Sequence, residues 1–192
     1  MTFATIEHAL EQLRSGRPVL VLDDEDRENE GDAILAAELA SPQWVGWMVR
    51  HTSGYLCAPM EDTRADRLGL PLMWSANTDP LRTRYTVSVD VSTSTTGISS
   101  VERAATTRAL ADPRTTSADL IRPGHVLPLR ARDGGVLTRR GHTEAAVDLT
   151  RLAGLQAVGL IGEIVHDDGT CARTPDVLAL GQAEGLDVIT IE

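Results

Sequence analysis

Ten consecutive residues, Asp23-Asp24-Glu25-Asp26-Arg27-Glu28-Asn29-Glu30-Gly31-Asp32, place seven carboxylates in one short stretch directly after an apolar run. In extended backbone, Glu28, Glu30 and Asp32 project from one side at two-residue spacing. Carboxylates gathered on one face repel one another unless a hard, oxygen-seeking cation or substrate hydroxyls satisfy them. The plainer alternative is a solvated acidic loop. An EF-hand does not fit, because its sixth position requires Gly and Glu28 stands there.

Arg139-Arg140-Gly141-His142-Thr143-Glu144 precedes a helical apolar stripe of Ala145, Leu149 and Leu152. With Thr143 as N-cap, the helix start offers free amides and a positive dipole end, and the arginines would complete a phosphate cradle. The competing reading is an ordinary capped helix with exposed arginines. His142 is then either a neighbour of the cap or a metal ligand. Glu163 lies inside the apolar run Val158 to Val165, where a carboxylate needs a partner. It is a possible acid or base with a raised pKa, or else a member of a buried ion pair or a strand-end residue. His125, in Arg122-Pro123-Gly124-His125, is of interest only together with these groups.

Elements must bring these segments together. The pattern predicts helices over 5–14, 42–51, 100–110, 143–155 and 175–184, each with start or stop signals at its ends. It predicts strands at Val19 to Leu22, Tyr85 to Asp90, Val136 to Thr138, Val158 to Val165 and Leu186 to Ile191, with a polar loop from Ser92 to Gly97. Interleaved helices and strands indicate one α/β (α+β) layered domain over residues 1–192, a mixed sheet covered by helices on both faces.

The net charge of −10 speaks against a nucleic-acid partner, so positive potential for an anionic substrate must be local, as at Arg139 and Arg140. Cys57 and Cys171 show no zinc spacing and fit a reduced, cytoplasmic protein. No apolar run is long enough to span a membrane, and no secretory leader is evident.

DDEDRENEGD at 23–32, TTGIS at 95–99, RPGH at 122–125, RRGHTEAAVDL at 139–149 and GEI at 162–164 occur in this order, and over nearly its whole length the chain resembles the 3,4-dihydroxy-2-butanone 4-phosphate synthase family. The resemblance implies a lyase of riboflavin biosynthesis that converts ribulose 5-phosphate to 3,4-dihydroxy-2-butanone 4-phosphate and formate with Mg2+, and a site of one carboxylate, one imidazole and substrate oxygens should also accept Mn2+. It implies that Glu28 and His142 bind the metal, that Arg27, Glu28, Asp32 and Glu163 contact the sugar phosphate, and that Arg139, Arg140, Gly141, His142 and Thr143 cradle its phosphate. It further implies catalytic roles for His125 and Glu163, a position for Cys57 near the site, and a homodimer with sites near the interface. Many relatives continue into a GTP cyclohydrolase II domain that is absent from this chain. Two departures are notable: Arg82 and Arg84 replace small residues in a loop, and Gly162 replaces a usual Cys. The alternatives are a related lyase or isomerase on another sugar phosphate, or a sugar-phosphate-binding homologue without catalysis.

Overall fold

A computed structural model describes residues 3–191; Met1, Thr2 and Glu192, the outermost residues of the expected domain, lie outside the described residues. Helices α1 (Ile6–Arg14), α2 (Pro42–His51), α3 (Asp62–Arg67), α4 (Ser100–Ala111), α5 (His142–Leu152) and α6 (Thr174–Glu184) alternate with seven strands. These are β1 (Val19–Leu22), β2 (Gly31–Ala36), β3 (Cys57–Met60), β4 (Val89–Val91), β5 (Leu120–Arg130), β6 (Gly159–Glu163) and β7 (Val188–Thr190). They form one sheet in the order β4-β5-β3-β6-β2-β1-β7. The β1–β7 and β3–β5 pairs are parallel and the rest antiparallel, which makes the sheet mixed, as expected.

Side-chain alternation divides the core in two. Leu20, Leu22, Ala33, Leu35, Ala58 and Leu160 face Val45 and Met48 of α2, Ala104 and Leu110 of α4, and Val177 of α6. Val19, Val21, Ile34, Cys57 and Ile161 face Ala9 and Leu13 of α1 and Ala145, Ala146 and Leu149 of α5. Leu13, Leu20, Ile34, Leu110 and Leu160 are fully buried, each contributing about 1.5–3 kcal/mol of transfer free energy.

Local signals explain the helix ends. The Thr5 hydroxyl accepts from His8 N at 3.3 Å and the Ser41 hydroxyl from Trp44 N at 3.2 Å, with Pro42 as the first helical residue. Ser99 caps α4 by accepting from Glu102 N at 3.2 Å. At the end of α5, Gly154 adopts a positive φ of 76°, its N–H bonds Arg151 O, and Leu155 N bonds Thr150 O. This reversed double bond stops the helix at Leu152, short of the expected Leu155.

Two expectations are corrected. Val136 to Thr138 is no strand: Gly134 and Gly135 take φ values of 87° and 61°, and Gly135–Leu137 forms a single tight helical turn. The strand expected over 85–90 is broken, since Thr86 N bonds the carbonyl of Pro128, and Pro128 has no N–H to return the bond. Pairing with β5 resumes at Val89, and its register shifts between Val89 and Asp90.

Candidate active site

The acidic segment, Glu163 and the start of α5 meet at one end of the sheet. Register pairs Leu22 with Gly31 and Asp32 with Glu163, so the end of β1, the start of β2 and the end of β6 lie side by side. Asp32, Glu163 and His125 share the side-chain parity of Ile34, Ile161 and Leu127, the face covered by α1 and α5. His125 sits mid-way along β5, two strands from β6 across β3.

The loop between β1 and β2 is organised by Asp23. Its buried carboxylate accepts from Glu28 N at 3.2 Å, Glu30 N at 2.9 Å and Arg27 Nη1 at 2.7 Å. Asn29 turns the chain with a φ of 54°. That turn takes Glu30 away from Glu28 and Asp32, which stay together around His142. Ligand atoms of Asp23, Glu28 and His142 lie within 4.8 Å of one another, whereas Glu30 joins Glu163 and Cys171 in a second group that also lies within 4.8 Å. In the sequence nothing distinguishes Asp23 from the other carboxylates of the acidic run.

His142 is the first residue of α5 and is buried. Its Nε2 lies 3.0 Å from Val21 O, and its Nδ1 lies 3.8 Å from both Glu28 Oε2 and Asp32 Oδ1. Burial pushes the Glu28 carboxyl up, but the His142 imidazole and Arg27 outweigh it and hold the group at about 2. At 3.8 Å the His142 contact is one of charge rather than a hydrogen bond. Burial raises Asp32 to about 6, with Glu163, Glu28 and Asp23 adding to the rise against the pull of His142. Burial alone would lower His142; Asp32, Glu28 and Asp23 raise it to about 9.

Thr143 is not the cap of α5. Gly141 holds that position in extended backbone, φ −119° and ψ 158°, and makes no side-chain cap bond, which leaves the first amides of α5 free of one. A methyl group placed on Gly141 would lie 2.3 Å from Arg139 Nη1 and 3.0 Å from Arg27 Nη2, so both guanidinium groups flank the helix start. Arg139 is already engaged: it bonds buried Glu144 at 2.6 Å and the Thr83 hydroxyl at 3.1 Å. Arg140 is exposed and makes no ion pair among the described residues.

His125 lies apart from the acidic group, gripped by Asp90 of β4. Asp90 Oδ1 accepts from His125 N at 3.0 Å, and Oδ2 lies 2.7 Å from its Nδ1. In the sequence Asp90 reads as the polar half of an alternating strand. Burial drives the Cys57 thiol up to about 12, the Asp32 charge adding to it, so Cys57 is no ready nucleophile.

The two departures have local explanations. Arg84 pairs with Asp62 at 2.8 Å and Arg82 bonds the Asn77 carbonyl, so both arginines brace their own surroundings. At Gly162, an added methyl would meet Thr52 Oγ1 at 2.7 Å and Leu56 Cδ2 at 3.1 Å. Thr52 occupies the space a Cys side chain would need.

A mixed sheet with helices on both faces, carrying carboxylates, a buried imidazole and a helix start flanked by arginines at one end, defines a layered α/β protein. The sequence profile of the 3,4-dihydroxy-2-butanone 4-phosphate synthase family matches residues 7–192, and the chain belongs to that family. It is 58% identical over 191 residues to the riboflavin biosynthesis protein RibBA of Salinispora arenicola, covering 99% of this chain and 46% of that relative. The chain thus spans about half the length of such relatives. A solved 3,4-dihydroxy-2-butanone 4-phosphate synthase of Candida albicans superposes with a TM-score of 0.92 at 48% identity, covering 100% of this chain and 95% of that one. Another synthase, solved in complex with two magnesium ions, gives a TM-score of 0.93 at 44% identity, with 98% and 94% coverage.

Proposed function

We propose that this chain converts ribulose 5-phosphate to 3,4-dihydroxy-2-butanone 4-phosphate and formate, a lyase step of riboflavin biosynthesis that needs no external oxidant or reductant. The observation that carries the reading is the convergence of Glu28, Asp32 and His142 beside a helix start flanked by Arg27 and Arg139. Such a convergence lets a cation and a phosphate be held side by side.

Glu28 and His142 would hold the divalent metal, with Asp32 and Asp23 adding negative charge around it. The donor set fits: hard carboxylate oxygens suit Mg2+, and an imidazole oriented through its second nitrogen also admits Mn2+. A cation there supplies Lewis-acid polarisation of substrate oxygens. Arg140, Gly141, Thr143 and the free amides of α5 receive the phosphate, with Arg139 shaping the cradle from its bond to Glu144. Arg27, Glu28, Asp32 and Glu163 orient the sugar hydroxyls. Glu163 and His125 move protons to and from the substrate.

Two coarser features agree with this setting. Tyr55, Ile98 and Ile121, exposed by 51%, 54% and 45%, lie on elements around His125 and suit a homodimer that covers this side. Both cysteines are free, which suits a cytoplasmic enzyme, and no helix among the described residues is long and apolar enough to cross a membrane. Relatives about twice as long accommodate a fused second domain.

Purified protein incubated with ribulose 5-phosphate and Mg2+ should release formate, and Glu163→Gln should abolish release while leaving the fold intact. A metal-binding protein that yields no formate would remove the assignment.

A further inference from the structure

We propose that Asp90 is the positioning residue for His125, holding the imidazole as its Nδ1–H tautomer so that Nε2 is the nitrogen that takes and returns the substrate proton. The inference rests on the reading of His125 as a proton-transfer group and deepens it.

The geometry is specific to this purpose. One carboxylate grips a single residue twice, accepting the backbone N–H of His125 at 3.0 Å and facing its Nδ1 at 2.7 Å. The β4–β5 register shifts between Val89, opposite Val126, and Asp90, opposite Ile121. Residues 122–125 are therefore extra on β5, and the irregularity swings His125 onto Asp90. The two backbones touch there: a methyl on Gly124 would lie 2.0 Å from Val89 C and 2.2 Å from Asp90 N. Only Gly fits.

A loop closes over the pair from a third direction. A methyl on Gly97 would lie 2.0 Å from Asp90 Oδ2 and 2.7 Å from His125 Nδ1. Glu102 pins that loop, accepting from Thr95 N at 2.6 Å, Thr95 Oγ1 at 2.8 Å, Gly97 N at 3.1 Å and Ser99 Oγ at 3.0 Å. Buried Arg103 of α4 adds positive charge near Asp90.

Exposure is asymmetric across the pair. The Asp90 side chain is 8% exposed and that of His125 is 40% exposed. Nε2 has no hydrogen-bond partner among the described residues. An acid that merely stapled β4 to β5 would not need the ring to end in a free, solvent-facing nitrogen. With Nδ1–H donating to Asp90, Nε2 keeps its lone pair, accepts one proton to give imidazolium beside the carboxylate, and gives the same proton back.

The test compares formate release by wild type, Asp90→Asn, His125→Gln and the double variant, together with 15N histidine spectra of the wild type, assigned for His125 by difference from His125→Gln. His125→Gln should lose about 10²–10⁴-fold in kcat, the range of a general acid or base. Asp90→Asn should lose on the order of 100-fold in kcat with KM within about twofold, and the double variant should be no slower than His125→Gln. Wild-type His125 should show the Nδ1–H tautomer, a readout that needs no variant of Asp90 to fold. A predominantly Nε2–H ring, or an Asp90→Asn enzyme within threefold of wild type beside a crippled His125→Gln, would overturn the role of Asp90. Full activity in His125→Gln would instead remove the underlying reading of His125.

Discussion

His142 Nε2 lies 3.0 Å from the carbonyl oxygen of Val21, a main-chain acceptor at the centre of β1. A carbonyl can only accept, so Nε2 carries a proton and Nδ1, 3.8 Å from Glu28 and Asp32, is left to hold either a second proton or a cation.

Competition between that proton and a metal sets the first prediction. The folded protein holds the imidazolium up to about 9, against an ordinary value of 6.5, so its stabilisation is complete below about 6.5 and is lost as pH rises through about 9. Asp32, raised from 3.8 to about 6, acts in the same direction over a lower window. In chelator, the melting temperature should therefore fall as pH is raised from 6.5 to 9. Mg2+ should reverse the trend and release protons on binding near neutral pH, read by calorimetry in buffers of different ionisation heat. A flat chelated profile without proton release would contradict the assignment of Nδ1.

The neighbouring arginines should behave differently. Arg139 is the charge partner of Glu144, which is 1% exposed, so Arg139→Ala leaves a buried carboxylate unpaired and should cost about 3–5 kcal/mol in denaturant unfolding. Arg140→Ala should leave stability nearly unchanged and raise KM for ribulose 5-phosphate by about 10- to 150-fold, the scale of one charge-assisted bond of about 1.5–3 kcal/mol. Equal effects of the two on stability would refute this division.

How much of this could be read beforehand depended on locality. The apolar spacing of Ile6, Ala9, Leu10 and Leu13 with the stop at Gly16, and the caps Ser41 and Ser99, act within a few positions of themselves, so α1, α2 and α4 were legible. β2 was hidden by the acidic run into which it opens, and β5 by Pro123, Gly124 and Pro128, which interrupt any strand pattern. The motif residues Glu28, His142 and Glu163 stood out by type and setting. Asp90 did not, because its partner is 35 residues away and only the β4–β5 register joins them. The placement of Glu30 likewise depends on the single left-handed residue Asn29, whose conformation no periodicity reveals.

Glu28→Gln keeps the shape of the side chain and removes its charge. Because Glu28 is proposed to touch the cation itself, magnesium affinity should fall by more than the 10–100-fold typical of losing a supporting group. The Asp23 carboxylate that holds the backbone of residues 28 and 30 is untouched, so the loop should keep its form. Titration calorimetry with Mg2+ alone checks this, and unchanged affinity would move the metal away from Glu28.

Gly162 and Thr52 form an exchangeable pair. Restoring a side chain by Gly162→Cys should destabilise by about 1–3 kcal/mol, since its Cβ would stand 2.7 Å from the buried Thr52 hydroxyl. Thr52→Ala alone should also destabilise, because the hydroxyl donates to Met48 O at 2.6 Å and accepts from Gly54 N at 3.2 Å. Joined in one chain, the two changes should cost less than their sum by about 0.5–3 kcal/mol, because the methyl of Ala vacates the volume the Cys occupies. Strict additivity in denaturant unfolding would show that the neighbouring Leu56, 3.1 Å from the added carbon, rather than Thr52, sets the limit at this position.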